Sequence, residues 1–152
     1  MIHVPDERLV RLIAIGKKTA HRFPAQRKAA TGKVTHPKIV AGKVHKVYAE
    51  APFGRDGNPD AKPLVVVMVD DVVLDVLGDI TDAEARREGF ASVAAFKVFW
   101  DRAWYHKALH FDTHRYHPVW VVSFSLREVL PAGKKLVRRI ERELRDRMKE
   151  EP

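Results

Sequence analysis

Gly16-Lys17-Lys18-Thr19-Ala20-His21-Arg22 concentrates two lysines, a hydroxyl, an imidazole and a guanidinium within seven residues. Two kinds of chemistry are open to such a set. Closely spaced cations neutralise the phosphates of a polyanion, and flanking aromatic rings add stacking with bases. Lys17, Lys18, Thr19, His21, Arg22, Arg27 and Lys28 are the polar candidates for that role, and Phe23, Trp100 and Trp104 the aromatic ones. Alternatively, a lysine and a histidine can carry protons at one scissile bond, as amide or phosphodiester hydrolysis requires. In an extended segment residues 18, 20 and 22 face one way and 19 and 21 the other, so Lys18 and His21 share a face only across a kink. A second polar group, His106, His110, His114 and His117 with Asp112, has the four-residue spacing that lets imidazoles share a metal on a helix. The helix would have to persist through Phe-Asp-Thr, and no His-Glu-x-x-His pattern couples a metal to a base, so no metal or other cofactor is expected and a polar loop beside the last strand is.

The elements that must position these groups follow from the hydrophobic pattern. Pro5 to Ile15 reads as a helix with Leu9, Leu12 and Ile13 on one face and Gly16 as its stop. Phe23 to Lys38 reads as a basic loop with a brief strand near Val34. Ile39 to Ala49 alternates as a half-buried strand with Val40, Val44 and Tyr48 toward one side. Glu50 to Lys62 is a turn-rich connection. Leu64 to Leu77 is a β-branched run with a bulge, or a junction of two strands, at Asp70-Asp71. Thr81 caps a short helix in a Thr-x-x-Glu box with Glu84, and Ser92 caps a second through Phe96, Phe99 and Trp100, rings whose helical spacing fits core packing. Pro118 to Leu126 is a strand. Lys134 to Lys149 is a helix whose apolar line, Leu136, Ile140, Leu144 and Met148, is narrow among eight Lys/Arg and three Asp/Glu. That helix is expected to lie on the rest of the protein with a solvated basic face; a dedicated nucleic-acid or partner helix is the alternative.

With 152 residues, no cysteine and a formal net charge of +8, the chain excludes disulfides, thiol catalysis and cysteine-based zinc sites, and its charge favours polyanionic partners. Aspartates interrupt the most apolar run well short of the ~20 residues of a membrane span. A cytoplasmic protein without membrane contact is expected; the sequence leaves the oligomeric state open.

The order of these pieces resembles the ASCH domain, a branch of the PUA-like fold. Gly16, Lys18, Thr19 and Arg22 match its first motif, and Glu88-Gly89-Phe90 before the aromatic helix match its second, over about residues 4 to 127. The resemblance implies an α+β domain over residues 1–130, a PUA-like β-barrel with flanking helices, followed by a basic amphipathic helix over 131–152. It also implies a cleft for RNA or a nucleotide-like small molecule, with Lys18 and Glu88 opening onto one solvent-reachable hollow. Some members hydrolyse acetylated cytidine with a lysine, a threonine and a glutamate. Lys18 and Glu88 match two of these, whereas His21 stands where that threonine would be. The leading expectation is therefore RNA or nucleotide binding. The alternative is a hydrolase of acylated nucleosides, or a metal-independent ribonuclease, with Lys18, His21 and Glu88 as its catalytic groups. A structural ion pair between Lys18 and Glu88 stays open beside both.

Overall fold

The computed structural model describes residues 1–52 and 57–150. Residues 53–56 of the expected turn-rich connection lie outside the described residues. Two long antiparallel strands, β4 (Val65–Val76) and β5 (Pro118–Val129), form the backbone of the sheet, β3 (Val44–Tyr48) pairs with β4, and β2 (Ala20–Pro24) pairs with β5. The two-residue β1 (Ile2–His3) adds in parallel to β3, giving the order β1-β3-β4-β5-β2. The protein is thus α+β with a five-stranded mixed sheet. The hydrogen-bonded order leaves β1 and β2 as two unjoined edges, so the described pairing stops short of the closed barrel that the resemblance implied.

The run expected over Leu64 to Leu77 is the single strand β4, and its register shifts between Val69 and Asp71, where the bulge was expected. The extra residue turns Asp70 and Asp71 outward, and Asp71 accepts from the Val72 N–H at 2.9 Å. β3 is shorter than expected, because Gly42 at φ +84° ends the extended run before Val44. Val40 and Val44 are exposed and Val47 is fully buried, so the covered side of the strand is the one opposite Val44.

Helix α1 (Glu7–Ala14) starts one residue after Asp6, whose side chain accepts from the Arg8 N–H at 2.8 Å; Pro5 therefore lies outside it. Leu9, Val10 and Ile13 pack into a core with Val47, Val65, Val67, Val69, Val122 and Phe124. Helices α2 (Asp82–Arg87) and α3 (Val93–Ala103) carry the expected Thr81 and Ser92 caps. Phe96 and Trp100 of α3 form a second core with Leu77, Ile80, Phe111 and Val119. Helix α4 (Pro131–Glu150) joins the first core through Leu136 and Ile140. No helix among the described residues is long and apolar enough to cross a membrane.

Candidate functional site

Strand β2 is buried on both faces, and its two faces do different things. On one, Arg22 runs into the interior toward α2. Its backbone N–H donates to Glu88 Oε1 at 2.9 Å, its Nη1 to Glu88 Oε2 and its Nη2 to Glu84 Oε2, with Asp75 Oδ2 at 3.6 Å. Glu84 and Glu88 are one helical turn apart, a like-charge spacing that destabilises a helix unless a cation sits between them. Arg22 is that cation. Burial alone would lower its pKa, but the charge and hydrogen bond of Glu88, then those of Glu84, outweigh burial and raise it. Glu88 caps the C-terminus of α2, and Gly89 reverses the chain at φ +99°; a Cβ there would lie 2.8 Å from Leu12 Cδ1.

Lys18 reaches the same place from the end of α1. Its Nζ donates to the Ala20 carbonyl at 2.7 Å and to the Glu88 backbone carbonyl at 2.8 Å, so its direct partner at Glu88 is the main chain and not the carboxylate. Burial lowers its pKa to about 8; the Glu88 charge opposes that and Arg22 adds to it. His21, on the opposite face of β2 from Arg22, turns toward β1. Burial, then the nearby charges of Lys18 and His3, hold it well below the ordinary imidazole value against a weaker pull from the His3 backbone, and neither ring nitrogen makes a hydrogen bond of ordinary geometry among the described residues.

Lys18, Arg22 and Glu88 meet, with His21 behind them on the other face of β2, but the solvent-reachable hollow expected of them is not what their exposures give. Lys18 and Glu88 are each 1% exposed and His21 and Arg22 each 2%. At least five cavities open on the described surface, and Lys18, His21, Arg22 and Glu88 line none of these five. The physical reason is that Lys18 and Arg22 find their partners inside the protein, which makes their burial affordable.

The accessible hollow lies one residue further along β2. A cavity of about 420 Å³ opens where the edge strands β1 and β2 approach each other at the end of α3, lined by Ile2, His3, Phe23, Ile39, Trp104 and His106 among others. Phe23 also borders a smaller cavity of about 140 Å³ with Pro24, Gln26, His36 and Trp120. Pro24 and Gln26 in turn border a third, of about 470 Å³, lined by Arg27, Lys107 and His117. Shared lining residues make the three cavities neighbours in a row, called the groove below, aromatic at one end and cationic at the other. The basic loop forms one bank. Trp120 Nε1 donates to the Thr35 carbonyl at 3.1 Å, and an Arg27–Val34 bridge folds the loop back on itself.

Two crystal structures share the fold of this chain. An Enterococcus faecalis V583 protein with the family model DUF984 superposes with a TM-score of 0.58 at 17% identity, over 86% of this chain and 81% of that one. The ASCH domain from Lactobacillus crispatus JV V101 gives 0.52 at 19% identity, over 81% and 75%. The fold is that of an ASCH domain. No family model matches the sequence, and no curated protein matches it.

Within the ASCH fold the residues singled out from sequence divide into three groups. Lys18, Arg22 and Glu88 form the closed cluster, His21 is buried on the other face of β2, and Thr19 is half-buried, its N–H donating to the Arg87 carbonyl at 2.7 Å. Lys17, Arg27 and Lys28 are exposed, and Trp104 lines the groove, whereas Trp100 is core. The spaced histidines do not share a helix. α3 ends at Ala103, a 3₁₀ turn spans Tyr105–Lys107, and Ala108 takes a left-handed φ of 53°. No group of three metal-capable side chains occurs among the described residues. Sequence reasoning missed His3, Ile39 and Lys107 as groove residues, and Glu84 and Asp75 as partners of Arg22. The Glu84/Glu88 spacing was the available signal for the second omission; nothing local marks the first, because those residues meet only through the sheet.

Proposed function

We propose that this protein binds RNA or a nucleotide-like small molecule in the groove between β1 and β2. The observation that carries the reading is the sequence of surfaces along that groove. A cavity walled by Phe23 and Trp104 is large enough for a base, and it leads past Pro24 and Gln26 to Arg27 and Lys107, where a phosphate would find opposite charge. Lys107 Nζ lies 5.8 Å from the Trp104 ring centroid, which brings the cationic and aromatic ends within the span of one nucleotide. In this reading Lys17 and Lys28 act at long range. Lys18, Arg22 and Glu88 act from behind, fixing β2 so that Phe23 holds its place.

Cytidine 5′-monophosphate is the probe, followed by tryptophan fluorescence and calorimetry. Trp104→Ala is expected to weaken binding by roughly 5- to 150-fold, the loss of one stacked base. An Arg27→Gln/Lys107→Gln double variant is expected to weaken the monophosphate while leaving the uncharged nucleoside unchanged. If both variants bind the monophosphate as the native protein does, the reading is wrong.

One observation favours a hydrolytic reading beside it. Lys18, with its pKa lowered to about 8, can exchange a proton near neutral pH, and His21, held neutral, keeps a free ring nitrogen that could accept one. Catalysis by them requires the cluster to open. Incubation with acetylcytidine and with labelled RNA in chelator, comparing native protein with Lys18→Ala and His21→Ala, tests it: product formed by the native chain and lost in both variants supports turnover.

A further inference from the structure

Helix α4 carries a surface that the groove does not use. At 100° per residue, Lys134, Lys135, Arg138, Arg142, Arg145 and Lys149 fall within an arc of about 100°, roughly opposite the direction in which Leu136 and Ile140 are buried. All six are exposed, and none is in an ion pair among the described residues. Glu141 and Asp146 lie at the two borders of the arc, not within it, and Glu141 turns to Arg11 of α1 at 3.8 Å. Arg139, the arginine of this helix that does pair, with Glu7 and Glu143, is off the stripe.

A solvated helix face needs no such segregation. Lys134/Arg138, Arg138/Arg142 and Arg145/Lys149 are like charges at four-residue spacing, and each pair destabilises the helix that carries it. Lys134 and Lys135 also stand near the positive end of the helix dipole, whose first turn holds no acid. Alternating signs would have served folding better, so the arrangement is one that an external polyanion would relieve. At its start the stripe runs into a cavity of about 580 Å³ where Lys135 meets Lys46 of β3 and Lys62. The ridge from Lys134 to Lys149 is ~22 Å long at 1.5 Å per residue.

We propose that this ridge binds the phosphate backbone of a nucleic-acid strand without reading its bases, as a second contact surface separate from the groove. The charge supports this class of partner because the ridge is long, linear, unneutralised and lacks aromatic rings for base stacking. The proposal stands without the groove reading, and its test keeps the two apart.

The full-length chain is compared with Arg138→Gln/Arg142→Gln/Arg145→Gln, whose helix content is checked by circular dichroism. Binding of a mixed-sequence single-stranded RNA of about 20 nucleotides is measured across salt concentrations, and binding of cytidine 5′-monophosphate at one. Removing three phosphate contacts is expected to make the slope of log affinity against log salt shallower by about 2, with equal loss for RNAs of different sequence and no change for the monophosphate. An unchanged slope in the folded variant overturns the proposal, as does a native chain that fails to bind RNA. So does a variant that loses only its binding to phosphatidylserine vesicles, since the ridge would then be a membrane contact. Loss of monophosphate binding in Trp104→Ala with the RNA slope intact would leave both surfaces as proposed.

Discussion

Arg22 is the charge around which the interior of this protein is arranged. A guanidinium in a residue 2% exposed is tolerable because Glu88 accepts from Nη1 and Glu84 from Nη2, while the other Glu88 oxygen accepts from the Arg22 backbone N–H. Lys18 has no such carboxylate partner. Two backbone carbonyls hold its ammonium, and burial leaves it with a pKa of about 8 against 10.5 in the unfolded chain. The folded pKa is lower, so between those values the unfolded chain binds a proton that the folded one does not, and stability rises as pH increases through that window. Below pH about 8 the full cost, roughly 3 kcal/mol, is present. Lys18→Met is expected to remove this rise. Urea midpoints at pH about 7.5 and about 9.5 check it: the difference between them should be more favourable to high pH in the native protein than in the variant, and equal differences would contradict the burial assigned to Lys18. The variant also leaves the Ala20 and Glu88 carbonyls without their donor, which costs about 1 to 3 kcal/mol at either pH.

Among the elements, α4 is held by contact closer than side chains alone permit. A Cβ on Gly133 would lie 2.0 Å from the Leu64 carbonyl oxygen, a backbone atom just before β4, so the first turn of the helix rests directly on main chain. Gly133→Ala is expected to destabilise by about 3 kcal/mol or more, because the helix must lift from the sheet. The adjacent Lys134→Ala, on the exposed side, should stay within about 0.5 kcal/mol. Chemical denaturation of the two variants tests the contrast. Sequence periodicity made most elements legible: the Thr81 and Ser92 caps, the Asp70-Asp71 bulge and the Leu136–Ile140 stripe are local signals, written within a few residues. The covered side of β3 was not legible. Val44 and Val47 are both apolar and point to opposite faces, and the core formed by β1, β4 and α1 decides which of them is covered.

At the scale of the whole molecule, the candidate site shows why local signals run out. The motif Gly16 to Arg22 together with Glu88 was recognisable, and Lys18, Arg22 and Glu88 do gather, but whether a head group ends in solvent or inside depends on what α1, α2 and the sheet place over it. The groove joins His3, Phe23 and Trp104, residues that share no sequence neighbourhood. Helix α4 belongs to the same bookkeeping of burial. Leu136 and Ile140 contribute about 3 to 6 kcal/mol at full burial, against a total of about 5 to 15 kcal/mol for ordinary proteins. Deleting residues 131–152 is therefore expected to lower the urea midpoint steeply, with loss of cooperative unfolding; an unchanged midpoint would make the helix a mere appendage. Strand β2 has one further consequence. With Arg22 clamped behind it and Phe23 in front, the wall of the groove has almost no compliance, since close-packed interiors pass strain on instead of absorbing it. A guest too wide by a single atom meets stiffness rather than accommodation, so selection by size would be a mechanical property of one five-residue strand.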